Sequence, residues 1–258
     1  MSSAVVLVTG GARRIGRAIA LDLAAAGWSV AFSYRHSALE AQETLMELRR
    51  NKVQAEALHA DLSDEVSCRA LVPEVVKRFG RIDAVVNNAS AFEYDNAETC
   101  GLASMEHHWK ANTAPAIVLA QELYQHVKAS GRTGCVVNLL DQKLWNPNPD
   151  YFSYTLSKAA LEAATKMLSI AMAPQLRVSG VAPGLTLLSG AMSEQEFEED
   201  RQLNPLDRSS PPQDIASAVR FLLTSPATTG STILVDGGQH LSREERDVMF
   251  MAHEMAFS

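Results

Sequence analysis

Ala4-Val5-Val6-Leu7-Val8-Thr9-Gly10-Gly11-Ala12-Arg13-Arg14-Ile15-Gly16 opens the chain with an apolar, β-branched run that breaks on a glycine turn. The run reads as a buried strand. The residues after the turn read as a helix through Ala26, with Gly27 ending it, and Ser29 to Tyr34 forms a second strand. Together these make one βαβ unit, and the alternation continues. Ala38 to Asn51 reads as helix and Ala55 to His59 as strand. Ser63 to Phe79 reads as helix, opened by a capping box in Ser63-Asp64-Glu65-Val66 that is only loosely fulfilled. Ala84 to Asn87 is the fourth strand, and a long helix is expected over Trp109 to Ala129. The apolar run from Gly134 to Leu140, ending at Asp141, reads as a buried parallel strand, and a helix carrying Tyr154 and Lys158 follows it. Arg177 to Ala182 is strand, Pro212 to Leu223 helix and Thr232 to Asp236 strand. Seven strands alternating with helices specify an α/β fold, a doubly wound parallel sheet whose ligands lie at the carboxyl ends of the strands.

No Pro/Gly/Ser linker divides the 258 residues, so one domain is expected over residues 1–240, with a tail over 241–258. A hydrophobic content of 47% supports a large core. The net charge of −7 argues against nucleic acid or an anionic membrane as partner. Cys68, Cys100 and Cys135 are odd in number and lack metal-ligand spacing, which points to free thiols in a reducing compartment and to no metal. Met1-Ser2-Ser3 runs straight into the first strand without an export signal, so the cytoplasm is the expected location.

The chemistry concentrates around Tyr154-Thr155-Leu156-Ser157-Lys158. Tyr154 and Lys158 are four apart and share one helix face, where an ammonium beside a phenol lowers the phenol's pKa from about 10 toward neutrality. Asp141 stands thirteen residues earlier at a strand end. A carboxylate against the phenol would oppose phenolate formation, so the pair works best when Asp141 carries a proton and hands it on. That arrangement suits protonation of a ring nitrogen during reduction.

The glycine-rich start, Asn87-Asn88-Ala89 and Tyr154-x-x-x-Lys158 resemble the short-chain dehydrogenase/reductase family, with its Rossmann-like fold, over nearly the whole chain. That family usually has serine where Asp141 stands. Aspartate there is similar to the pteridine reductase branch, which includes dihydromonapterin reductases, also called alternative dihydrofolate reductases. Within Thr9 to Gly16, Gly10 and Gly16 let the backbone approach a pyrophosphate, and the helix beginning near Arg13 and Ile15 presents its N–H groups to it. Arg14 occupies the place of the middle glycine, as in pteridine reductases, and its guanidinium is expected to touch phosphate. The second strand ends without the acid that would hold a ribose 2′-hydroxyl. Tyr34, Arg35, His36 and Ser37 stand there instead, and Arg35 can bond a 2′-phosphate, so NADPH is expected over NADH. By the same resemblance Asp61 and Leu62 contact adenine and Asn88, Ala89 and Ser90 flank the adenosine ribose. Pro183, Gly184, Leu185 and Thr186 lie along the nicotinamide and pyrophosphate.

For the substrate, the resemblance implies that Phe92 stacks on a pterin and Ser90 hydrogen-bonds it, contributing about 0.5 to 1.5 kcal/mol beyond area burial for the stacked ring. NADPH would deliver hydride to C6 of a 7,8-dihydropterin or dihydrofolate while N5 takes a proton from Tyr154, with Asp141 behind it, or from water. Lys158 would bond the nicotinamide ribose, and Asn112 matches the family's proton-relay asparagine. Leu185, Leu188, Met192 and Phe197 precede or enter the acidic stretch Glu194 to Asp200 and read equally as a lid with an apolar underside or as ordinary helix packing. The tail is charged at Arg243-Glu244-Glu245-Arg246-Asp247 and apolar at Val248-Met249-Phe250-Met251, which suggests packing on another subunit. Arg243 matches an arginine that in pteridine reductases reaches a neighbour's active site, and a homotetramer is the expectation the resemblance carries. Two other readings stay open: a carbonyl reductase of 3-oxoacyl, sugar or steroid ketones, and a catalytically silent cofactor-binding scaffold.

Overall fold

The computed structural model describes residues 3–187, 204–242, 245–247 and 250. Its elements run β1 (Val5–Val8), α1 (Arg14–Ala25), β2 (Ser29–Tyr34), α2 (Ala38–Arg50), β3 (Ala55–His59), α3 (Glu65–Phe79), β4 (Ala84–Asn87) and α4 (Leu102–His108). A π-helical turn (Trp109–Thr113) leads into α5 (Ala114–Ala129), then β5 (Gly134–Leu139), α6 (Phe152–Ala171), β6 (Leu176–Pro183), α7 (Pro212–Thr224) and β7 (Thr232–Val235). All strand pairs are parallel, in the order β3-β2-β1-β4-β5-β6-β7. The order reverses between β1 and β4, so a crevice opens above the carboxyl ends of those two strands.

Side-chain alternation along β1 shows how the sheet divides its two faces. Val6 and Val8 join Ile19 and Leu23 of α1 and Ile215 and Leu222 of α7 in one core cluster. Val5 and Leu7 point the other way, into Leu71 and Val75 of α3 and Leu119 and Leu123 of α5. Because both faces are covered, β1 is wholly buried, as the continuous apolar run predicts. Cys68 and Cys135 are buried free thiols, and burial pushes them up to about 12 and about 11 respectively.

Three local expectations need correction. The capping residue of α3 is Asp64, whose carboxylate accepts from the Ser67 N–H at 2.9 Å, whereas Ser63 bonds back to Asp61. The long helix expected from Trp109 starts instead at Leu102, where the Ser104 hydroxyl accepts from the Gly101 N–H. Finally, that helical stretch is interrupted by the π turn, a local widening that rotates the following residues relative to an unbroken α-helix. Asn112 lies in this turn and is buried.

Candidate active site

Above the carboxyl ends of the strands lies a cavity of about 580 Å³. One end is built by the glycine turn. Gly10 has a left-handed φ of 62°, and a Cβ on Gly16 would collide with the Gly10 carbonyl oxygen and the Asn88 amide, so helix and turn can meet only without side chains there. Asn88 fastens the turn to β4: its Nδ2 donates to the Thr9 carbonyl at 2.9 Å, and the Thr9 hydroxyl accepts from the Asn88 and Ala89 N–H groups. Arg13, the N-cap of α1, makes no side-chain capping bond, and the first turn of the helix carries no acid. The helix N-terminus therefore keeps donors for an anion. Arg14 takes a left-handed φ of 53°, a conformation costing roughly 1–2 kcal/mol for a residue with a Cβ, and its side chain lines the cavity.

Beyond β2, Tyr34, Arg35, His36 and Ser37 line the same cavity, together with Asp61 and Leu62 after β3. Arg35 is half-exposed and pairs with Asp61 at 3.0 Å, so the guanidinium stays at the rim with donors to spare. Hydrogen bonds from Ser63 hold the Asp61 carboxyl below its usual range, against a smaller opposing effect of burial. Pro183, Gly184, Leu185 and Thr186 follow β6 along one wall. Gln239, which no local signal singles out, fixes this segment by accepting from the Leu185 N–H at 2.9 Å.

At the other end, β5 delivers Asp141 and the first turn of α6 delivers Tyr154. The Tyr154 hydroxyl meets Asp141 Oδ2 at 2.7 Å. The second carboxylate oxygen accepts from the Lys143 N–H at 2.9 Å and so caps a 3-10 turn over Gln142–Leu144. Asp141 thus caps and contacts the phenol at once. Burial pushes its carboxyl above the usual range, opposed by the Lys143 and Tyr154 hydrogen bonds and the Lys158 ammonium. Lys158 is nearly inaccessible, donates to the Leu139 carbonyl at 2.7 Å and lies 5.7 Å from the centre of the Tyr154 ring. Burial depresses it to about 8, with Asp141 partly offsetting.

The expected lowering of the tyrosine pKa toward neutrality does not hold in this structure. Burial, followed by the charge and hydrogen bond of Asp141, raises Tyr154 well above 10. Those effects outweigh any lowering by the Lys158 ammonium, which is itself held by the Leu139 carbonyl. The phenol is therefore a protonated donor, and Asp141 is the more readily titrated member of the pair.

Asn112 stands behind this group. Its Nδ2 donates to the Ala91 carbonyl at 3.1 Å and the Ser157 hydroxyl at 2.9 Å, while its Oδ1 accepts from the Ala91 N–H at 2.7 Å. It does not line the cavity; it ties the segment after β4 to α6. Ser90 reaches Asn112 Oδ1 at 3.1 Å. Phe92 lines the cavity, is 42% exposed, stacks on Tyr151 at 4.1 Å and meets Tyr154 edge-on at 4.7 Å. One ring face is thus backed by protein, which fixes the orientation of the other. Tyr151 itself has a left-handed φ of 54° at the N-terminus of α6. Leu188, Met192, Phe197 and Arg243 lie outside the described residues. Lys143 and Asp247 line the cavity near Asp141 and were not foreseen.

A doubly wound sheet with a glycine turn under one end of its crevice and a Tyr-x-x-x-Lys helix at the other defines a nucleotide-dependent reductase architecture. The comparison with known proteins agrees: residues 10–240 match the family model described as Enoyl-(Acyl carrier protein) reductase, and the chain belongs to the short-chain dehydrogenase/reductase family. Within it, the chain is similar to FolM alternative dihydrofolate reductase 1 of Brucella canis, whose structure is a complex with NADP. The two share 38% identity and a TM-score of 0.87 over 93% of this chain and 96% of that one. It is also 31% identical to pteridine reductase 1 of Leishmania tarentolae, over 93% of this chain and 97% of the relative. A granaticin polyketide synthase putative ketoacyl reductase of Streptomyces violaceoruber is 33% identical over 92% of this chain and 96% of the relative. Among the described residues no helix is long and apolar enough to cross a membrane, and no cluster of His, Cys, Asp and Glu could hold a metal.

Proposed function

We propose that the protein reduces dihydropteridines, such as 7,8-dihydromonapterin, dihydrobiopterin or dihydrofolate, to their tetrahydro forms with NADPH. The observation that carries this reading is the 2.7 Å contact between Tyr154 and Asp141. A ketone being reduced develops negative charge on oxygen, and a carboxylate beside the proton donor would oppose it. A ring nitrogen needs a proton and profits from a second acid behind the first. The similarity to the Brucella and Leishmania proteins supports the same substrate class.

The residues present fit the cofactor. Its pyrophosphate would lie on the glycine turn, whose floor admits no side chain at Gly16, with the N-terminus of α1 and Arg14 as donors. Arg35, with His36 and Ser37, would take the 2′-phosphate, and Asp61 and Leu62 the adenine. Asn88, Ala89 and Ser90 would flank the ribose, and Pro183 to Thr186 the nicotinamide side. When bound, NADPH supplies the hydride.

The chain's own residues then do the rest. Phe92, backed by Tyr151, orients the flat acceptor and limits its sliding. Lys158 would bond the nicotinamide ribose. Tyr154 donates its proton toward N5 while C6 gains the hydride, and Asp141 replaces that proton through the same hydrogen bond. Asp141 is left as a carboxylate and regains its proton from water in the cavity. Asn112 holds the Ala91 backbone against Ser157, keeping Phe92 in register with Tyr154.

The test is NADPH oxidation measured in parallel with dihydrobiopterin, dihydrofolate and a β-ketoester. Turnover of the dihydropteridines well above the ketoester is the expected result. Turnover of the ketoester alone would identify a carbonyl reductase, and none with any acceptor, despite NADPH binding, a silent scaffold.

A further inference from the structure

Two charged side chains next to the acceptor end of the cavity are buried, and the structure pairs both with the C-terminal segment. Asp150, 2% exposed, accepts from Arg246 Nε at 2.8 Å and Nη2 at 3.0 Å, and from the Asp247 N–H at 2.8 Å. Lys143, 3% exposed, pairs through Nζ with Asp247 Oδ2 at 2.8 Å. Phe250 continues the contact, edge-on to Tyr94 at 5.2 Å and tilted to Tyr151 at 6.4 Å, with the Arg246 guanidinium over its ring. Asn146 donates to the Ser242 carbonyl from the same loop.

We propose that the segment bearing Arg246, Asp247 and Phe250 forms a specificity-determining wall of the acceptor site, and that Lys143 is the positioning residue through which it acts on Asp141. The backbone N–H of Lys143 holds one oxygen of Asp141, and the ammonium of the same residue is held by Asp247. The 3-10 turn that aims Asp141 at Tyr154 is therefore clamped from the C-terminal segment. Tyr151, the backing of Phe92, is clamped alongside it, since Lys143 lies over its ring at 5.3 Å and Phe250 packs against it. Asp247 is also the more exposed partner of its ion pair and lines the cavity, so an acceptor meets a carboxylate there. Such a wall favours a heterocycle edge rich in N–H donors over an anionic acceptor. Burial alone would raise the Asp150 carboxyl, yet the Arg246 and Asp247 hydrogen bonds hold it below the usual range, as a structural counter-ion requires.

Detaching this segment leaves two buried charges without the partners seen here, a change far more disruptive than losing a surface ion pair. The inference rests on the cavity's Asp141 end being where the acceptor sits, and its test separates that premise from the wall itself. The full-length Arg246→Gln/Asp247→Asn variant is compared with wild type by amide hydrogen exchange and by steady-state kinetics with dihydrobiopterin. Exchange over residues 142–155 should quicken about tenfold or more while the glycine turn over residues 10–16 stays unchanged. If the wall is detached nine times in ten, KM for the acceptor rises about tenfold and kcat falls with the misaimed Asp141, with little change in NADPH affinity. The charge-swapped variant Lys143→Glu/Asp247→Lys should restore slow exchange over residues 142–155, which loss of a generic packing contact would not allow. Unchanged exchange in the variant overturns the proposal whatever acceptor the enzyme uses. Faster exchange with an unchanged KM overturns the specificity role. Absence of dihydropteridine turnover in wild type counts against the proposed function, and the exchange result then decides the wall alone.

Discussion

Asp141→Asn changes the proton inventory of the site while keeping its shape. Asparagine retains an oxygen to accept from the Lys143 N–H and is nearly the size of the aspartate it replaces beside Tyr154. What it removes is an acid. General acid catalysis contributes about 10²–10⁴ in rate, so kcat for dihydropteridine reduction should fall by that factor, or roughly 3–5 kcal/mol in barrier height. NADPH affinity should be little changed, because Asp141 is not among the cofactor contacts proposed above. Stability provides an independent check whose sign is fixed by the same carboxyl. Burial raises the folded-state pKa of Asp141, so its favourable contribution is complete below the unfolded value of about 3.9 and is lost as pH rises through the folded value. Across that window wild type loses about 1.36 kcal/mol per pH unit relative to the amide variant. Thermal melts at pH 5 and pH 8 should show Asp141→Asn gaining on wild type as pH rises. A turnover within about twofold of wild type would refute the proton-donor reasoning, and a melting difference that ignores pH would refute the buried-acid reasoning.

Three further outcomes follow from the same geometry. Arg35→Ala should weaken NADPH binding by about 1.5–3 kcal/mol, the usual range for a charge-assisted hydrogen bond, and leave NADH nearly untouched; fluorescence titration with both nucleotides checks this. Phe92→Ala should raise KM for dihydropteridines, costing about 0.5–1.5 kcal/mol for the lost stack plus the buried area, with NADPH affinity preserved in the same titration. Because burial depresses Lys158 to about 8, its ammonium is present below that pH and lost above it, so kcat/KM should decline as pH rises through about 8. A profile flat from pH 7 to pH 9.5 would show that the lysine charge plays no part.

Legibility in the sequence tracks the range of the interactions. The strands and the cofactor end were readable because a glycine turn, an apolar run and the residues just past a strand are local signals, and the sheet order then fixes where they meet. Arg14 to Gly16, Arg35 and Pro183 to Thr186 all line the cavity for that reason. Asp141 and Tyr154 were legible as a pair because one ends a strand and the other opens the next helix. The π turn was not, since nothing in Trp109-Lys110-Ala111-Asn112-Thr113 distinguishes it from α-helix, although the buried Asn112 lies within it. Nor was the charge state of Tyr154, because spacing on a helix says nothing of burial, which here outweighs the lysine. The ion pairs of Arg246 and Asp247 join residues about a hundred positions away, and Tyr151 adopts a left-handed backbone with no glycine or asparagine to announce it. Those contacts exist only once the sheet has brought β5, α6 and the chain end together.

Infrared difference spectroscopy of wild type against Asp141→Asn reads the raised proton affinity of the buried Asp141 carboxyl directly. The C=O band of a protonated carboxyl, missing from the variant, should persist well above the ordinary carboxyl value of about 3.9. A band lost at that ordinary value, with only carboxylate signal above it, would overturn the proton-donor role of Asp141.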